Sequence, residues 1–175
     1  VIAPYVLALA LESPIPLEAG TYWEYRESYT ERIGGLDSIE EADTRFSVTH
    51  SGGRPFIAQR GGADPVSGPV EIGDAWIRLG PWTGEDALPL PLVPGRSGPP
   101  GAPGAEPWRV EDWEDVTVPA GRFRALRCAF RTWTHVSLLW IAPGVGVVKE
   151  TQGVPGRRPE IERVLVRWGR PSPTP

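Results

Sequence analysis

Residues Tyr22–Ile33 read YWEYRESYTERI. Trp23, Tyr25, Tyr29 and Ile33 fall on one parity, and Glu24, Arg26, Ser28 and Thr30 on the other. A period of two sustained over twelve residues is the mark of a half-buried β-strand, because successive strand side chains point to opposite faces. Gly34-Gly35 follows as a turn. Working outward, strands are expected over residues 42–50, with Phe46 and Val48 inward, and over 56–59 after the turn Ser51-Gly52-Gly53. Further strands are expected over 70–79, 110–118, 121–132, 136–142, 145–150 and 161–168. In the last of these Val164, Val166 and Trp168 share a face. No segment has the apolar spacing and caps of an amphipathic helix. The expectation is an all-β domain: a single antiparallel, strongly curved, half-barrel-like sheet of about 8–9 strands with little or no helix.

Composition agrees. The 175 residues include 21 Gly and 21 Pro, the two worst interior helix residues, while eight Trp and 40% apolar content require a packed core. There is room for one domain. The formal net charge of -4 gives no basic field for nucleic acid. The single cysteine, Cys128, excludes an intramolecular disulfide and a multi-thiolate metal site. Asn and Met are absent and Arg outnumbers Lys 17 to one. This composition fits either the thermophile habit or a high-GC genome.

Three regions stand apart from the β pattern. Residues 1–16 read as a truncated signal-like leader or an N-terminal extension. VIAPYVLALAL (1–11) has the length of a signal h-region, falls short of a membrane span, and ends near the small-x-small Ala8-Leu9-Ala10. With no Cys nearby, a lipoprotein-type anchor is not supported. Residues 87–107 hold seven Pro and four Gly, with Gly95, Gly98, Gly101 and Gly104 every third position, and read as a polyproline-like surface loop. Residues 169–175 read as a disordered tail. The β domain therefore spans 17–168.

Two motifs carry a resemblance. VPAGRFRALR (118–127) and WIAPGVGVVKE (140–150), with LEAGTYWEY (17–25) before them, resemble the TapB-like family of bacterial secreted and envelope proteins. The resemblance implies an extracytoplasmic β domain of unknown function, with the half-barrel architecture of LolA-like and LppX-like lipid carriers. The same motifs have structural reasons: Pro119 and Gly121 suit a tight reversal, as do Pro143 and Gly144.

The search for chemistry finds no catalytic constellation. Ser97 in Gly95-Arg96-Ser97-Gly98 lacks the second Gly of a nucleophile elbow. Cys128 alternates with Leu126 and Phe130 like a buried small hydrophobe. His50 and His135 stand alone, and Gly144-Val145-Gly146 is an incomplete dinucleotide fingerprint. The acidic run Glu111, Asp112, Glu114 and Asp115 lacks the spacing and bend glycine of a calcium loop and reads as a solvated strand end. The row Arg122, Arg124, Arg127 and Arg131 is expected to pair with carboxylates on neighbouring strands, such as Glu162 or Glu24. A one-residue bulge at Ala125–Leu126 would reconcile the parities of that strand.

Neither an enzyme, a metal nor a cofactor is expected. The reading is an extracytoplasmic binding module (periplasmic, envelope-associated or secreted) that holds an apolar ligand or lipid on the concave face. The residues expected there are Trp23, Tyr25, Phe46, Trp140, Val166 and Trp168. The alternative is a structural or interaction protein of the envelope, capturing a protein partner through a sheet edge or the Pro-rich loop.

Overall fold

The computed structural model describes residues 14–33, 36–62, 67–99 and 106–171. The leader-like run 1–11, the Gly34-Gly35 turn, Gly101, Gly104 and the tail beyond residue 171 lie outside the described residues. The strands are β1 (Tyr22–Ile33), β2 (Leu36–Ser51), β3 (Arg54–Gly61), β4 (Ser67–Ile72), β5 (Trp76–Leu79), β6 (Leu88–Pro89), β7 (Arg109–Val118), β8 (Gly121–Arg131), β9 (Val136–Ala142), β10 (Gly146–Gly153) and β11 (Ile161–Gly169). One helical turn, α1 (Gly80–Thr83), follows β5. No helix among the described residues is long and apolar enough to cross a membrane.

All eleven strands form one antiparallel sheet in the order β6-β5-β4-β3-β2-β1-β11-β10-β9-β8-β7. The end strands β6 and β7 come alongside each other without pairing. The domain is thus a nearly closed barrel with one open seam, which corrects the expected open half-barrel of 8–9 strands. Two strands account for the difference. The run 70–79 is a hairpin, because Gly73 N–H donates back to the Trp76 carbonyl at 2.9 Å and breaks it into β4 and β5. The eleventh strand, β6, comes out of the Pro-rich stretch.

Residues 94–97 of that stretch are exposed, and through Gly98 the stretch is also bonded to the barrel. Leu88 is fully buried, and Leu90 N–H donates to the Ala75 carbonyl at 2.8 Å. Gly95 N–H donates to Val110 O at 2.8 Å, Val110 N–H to Arg96 O at 2.8 Å, and Gly98 N–H to Trp108 O at 2.7 Å. The exposed edge of β7 is therefore bonded by residues between the prolines, which keep their N–H groups. Gly98 sits where a Cβ would lie 2.2 Å from the Ala87 carbonyl oxygen, so the stretch also abuts the β6 side of the seam.

The strand details sharpen other expectations. β1 runs over the residues expected, and β2 begins six residues before position 42, in an exposed segment with no apolar alternation. Ala125 and Leu126 are both buried, but the irregularity of the β7–β8 ladder lies on β7, between Val110 and Trp113. On β11 the buried positions are Arg163 and Leu165, while Val164, Val166 and Trp168 are half-buried. The β1–β11 register explains this: Glu24 faces Arg167 and Tyr25 faces Leu165, so Val166 is an extra residue that switches parity.

The β10–β11 ladder covers only Lys149–Gln152 against Ile161–Val164. Below it the strands separate, and side chains and a turn take over their backbone groups. The Trp23 indole donates to Val145 O and the Tyr25 hydroxyl to Val147 O, each at 2.6 Å. Ala120 N–H, in the β7–β8 turn, donates to Leu165 O at 3.0 Å.

The outer face carries ion pairs. Arg122 and Arg124 pair with Asp115, Arg127 with Glu111 and Glu114, and Arg131 with Glu111. The arginine row thus meets the acidic run of β7; Glu24 serves Arg45 and Arg167, and Glu162 serves Lys149.

Substituting Gly98→Ala should force the seam segment away from Ala87 and destabilise the fold by about 1–3 kcal/mol. Ser97→Ala, at an exposed neighbouring position, should stay within about 0.5 kcal/mol in the same chemical denaturation series. Equal effects would mean that the segment does not help to close the seam.

Candidate functional site

Two groups of inward-facing side chains stand out within the buried core. The first is aromatic. Trp23 and Tyr25 project from β1 and Phe46 from β2, and all three are buried. Between them stands Trp82, carried inward on α1. Its ring lies 4.9 Å from Phe46 in a stacked arrangement, and 5.5 Å from Trp23 and 6.5 Å from Tyr25 edge-on. Tyr25 and Phe46 also meet edge to face at 5.4 Å. These are the favoured geometries for aromatic quadrupoles. The Trp82 indole Nε1 is buried and has no hydrogen-bond partner among the described residues.

The turn that delivers Trp82 depends on two close-packed glycines. Gly80, at φ +34°, lies so near Gly68 of β4 that a Cβ on Gly80 would come within 2.8 Å of that backbone. Leu79 N–H donates to the Thr83 hydroxyl at 3.0 Å, closing the turn.

The second group is ionic and lies on the same inner face. Glu27 of β1, Glu150 of β10 and Arg163 of β11 are all buried. Arg163 donates through Nε and Nη2 to the two oxygens of Glu27, at 2.9 and 3.1 Å, and through Nη1 to Glu150 at 2.9 Å. Thr44 donates to Glu27 at 2.8 Å, and Gln152 donates to Glu150 at 2.5 Å. Two carboxylates share one guanidinium, so the group carries a surplus negative charge when both are ionised. Burial pushes the Glu150 carboxyl above its ordinary range, although Arg163 pulls against it. Arg163 is itself desolvated, yet the two carboxylates raise its pKa and keep it charged. Tyr25 is raised as well, by burial and by the nearby Glu150.

Of the six residues expected to bind a ligand, the structure gathers Trp23, Tyr25 and Phe46 around Trp82. Trp168 is half-buried opposite Trp23. Trp140 donates its indole N–H to Glu114 at 2.7 Å and lies 5.3 Å under the Lys149 ammonium. Val166 lines a cleft of about 340 Å3 with Glu24, Tyr25, Asp43, Thr44, Arg45 and Arg60. Trp82, Glu27, Glu150 and Arg163 were not anticipated. Glu27 does share the parity of Trp23 and Tyr25, so a carboxylate on the apolar face of β1 was a signal in plain view.

The remaining candidates stay apart. The Cys128 thiol is buried and pushed up to about 12 by burial and by Glu111, the opposite of a reactive thiolate. His50 makes a 3.2 Å contact with Leu17 O near the β2–β3 turn, and His135 a 2.8 Å contact with Ser137 in the β8–β9 turn, at the opposite end of the barrel. Among the described residues no group of three or more His, Cys, Asp or Glu is placed to hold a metal ion.

No family model matches the chain, and no curated protein matches it. The chain is similar to a crystal structure from Bacteroides fragilis, assigned as exported and as having a YmcC-like fold. The identity is 14%, with 89% of this chain and 98% of that chain covered at a TM-score of 0.56. A chain from Parabacteroides distasonis assigned as a lipoprotein aligns with 13% identity over 89% and 98% of the two chains, at a TM-score of 0.42. The likeness to the first shows the fold: an incomplete barrel of the YmcC-like kind, in place of the half-barrel of the LolA-like and LppX-like carriers.

Arg163→Met should destabilise the protein by about 3–5 kcal/mol in denaturant melts, because it strands two buried carboxylates. Replacing all three members together (Glu27→Leu, Glu150→Leu, Arg163→Met) should recover part of that loss. The pH dependence has two opposed parts. A carboxyl raised in the folded state, as in Glu150, contributes stability that is full below its unfolded pKa and lost as pH rises through the folded one. Glu24 is lowered, chiefly by its hydrogen bond from Arg167. Asp115 is lowered chiefly by its hydrogen bond from Arg122. At Glu111 burial pushes upward, but Arg131 and Arg127 together outweigh it. These three lose their contributions on acidification. Glu150→Gln should therefore gain stability relative to wild type as pH rises from the carboxylate range towards neutrality; a pH-independent difference would contradict the raised Glu150 carboxyl.

Proposed function

We propose that this protein is a non-enzymatic, extracytoplasmic binding module that takes an apolar small molecule or lipid chain into the aromatic end of its barrel. The observation that carries this reading is the position of Trp82. It fills a box made by Trp23, Tyr25 and Phe46, yet its own N–H finds no acceptor there. An unpaired buried donor costs about 1–3 kcal/mol, so the box suits a wholly apolar occupant better than the indole now in it. Trp82 is a surrogate ligand on a single turn, and movement of that turn is the way in. The extracytoplasmic address is supported by the exported assignment of the Bacteroides fragilis chain that shares the fold.

An envelope protein that captures partners through a sheet edge has less to rest on, since the β7 edge is already bonded by residues 95–98.

Native mass spectrometry of gently purified protein should show bound lipid, and fatty acids or phospholipids should raise the melting temperature. Trp82→Ala should lose about 3–5 kcal/mol and regain part of it when free indole or benzene is added. A wild-type protein with no bound lipid and an unchanged melting temperature, and a variant that neither indole nor benzene rescues, would overturn the reading.

A further inference from the structure

A second cleft, of about 390 Å3, lies away from the aromatic box, between the β1–β2 hairpin and the β10–β11 turn. It is lined by Thr30, Arg32, Asp37, Gly156, Arg157, Arg158 and Glu160. Its walls are tied together by the Thr30 N–H, which donates to Glu160 O at 2.8 Å, and by the turn bond from Arg157 N–H to Val154 O at 3.1 Å.

Its arginines stand outside the ion pairs of the outer face. Elsewhere Arg45, Arg78, Arg122, Arg124, Arg127, Arg131 and Arg167 each pair with a carboxylate on an adjoining strand, whereas Arg26, Arg54, Arg60, Arg96, Arg109 and Arg170, like the arginines of the cleft, form no ion pair among the described residues. The cleft is lined by three arginines and two acidic residues, and among the described residues none of Arg32, Arg157, Arg158, Asp37 and Glu160 forms an ion pair. Asp37 even occupies the register position opposite Arg32 without closing on it. The cleft keeps a local positive surplus on a chain whose formal net charge is -4.

Three arginines lining one cleft can meet the oxygens of a phosphate group, which arginine holds in bidentate fashion. The two carboxylates would repel a bare phosphate dianion and attract an ammonium carried beside it. We propose that this cleft binds a zwitterionic phosphate ester, with the phosphate on Arg32, Arg157 and Arg158 and the ammonium between Asp37 and Glu160. The same chemistry is found in a soluble phosphoethanolamine and in the headgroup of a phosphatidylethanolamine. The inference is independent of the aromatic box, which lies on the inner face.

The test is titration of the full chain with O-phosphoethanolamine, inorganic phosphate and ethanolamine, followed by calorimetry and by amide chemical shifts. Saturable binding of O-phosphoethanolamine is expected, at least tenfold tighter than either fragment, with shifts centred on residues 156–160. The double variant Arg157→Gln/Arg158→Gln should weaken it at least tenfold. Asp37→Asn should weaken O-phosphoethanolamine while tightening inorganic phosphate, an inversion that general surface charge would not give. Co-sedimentation with phosphatidylethanolamine vesicles, but not with phosphatidylglycerol vesicles, identifies the lipid as the source; binding of the soluble ester without vesicle capture identifies a soluble metabolite class. Absence of saturable binding, or binding unchanged in both variants at an unchanged melting temperature, overturns the proposal.

Discussion

The guanidinium of Arg163 holds three neighbouring strands at once, and the rest of the barrel is arranged around that constraint. It joins β11, where it originates, to Glu27 on β1 and Glu150 on β10. Desolvating three charges is costly, and a hydrophobic trio of similar volume would often be no less stable. What the ionic trio adds is direction. The fork has one geometry that satisfies Glu27 through two nitrogens and Glu150 through a third, so it fixes the register of β1 against β11 at the place where the β10–β11 ladder is about to end.

The consequences run down the interior. Below Lys149 and Val164 the ladder opens, and the β10 carbonyls would be left without donors. The large aromatic residues of β1 meet that need: Trp23 and Tyr25 give their polar tips to Val145 and Val147 and their ring faces to the core. Trp23 and Tyr25 are therefore bonded to the scaffold at one end and packed edge-on against Trp82 at the other. The core thus contains an ionic group and an aromatic group, and in the second Trp23 and Tyr25 have already given their hydrogen bonds to the scaffold.

Much of the fold was legible because its strands alternate cleanly and are separated by Gly and Pro turns; β1 and β7–β9 could be placed within a residue or so. The exceptions have physical causes. The hairpin β4–β5 looked continuous because the apolar positions resume across Gly73 and Asp74. The bonding of the Pro-rich stretch to β7 was not legible because edge bonding is a tertiary property that leaves no local pattern. Val164, Val166 and Trp168 do not share a face as their spacing suggests, because the extra residue at Val166 reverses the parity of β11, and a bulge shows only in the pairing. Half of the expected ligand set was found together because aromatic residues on one parity of β1 and β2 must meet across a paired register. Trp82 had no such signal: one residue on one helical turn has no period.

The position of the seam has a consequence for how the chain can assemble. In the spatial order of strands, every neighbouring pair is consecutive in sequence except β1 with β11, and the unpaired seam falls in mid-chain. The molecule is topologically two meanders, β1–β6 and β7–β11, each rich in short-range hairpins that close at low entropic cost. Their union at β1 and β11 joins residues more than a hundred positions apart, and Gly20 and Pro171 meet beside that junction. Circular permutation at the long loop between the halves would turn the barrel into a single uninterrupted meander, with its slowest contact made local.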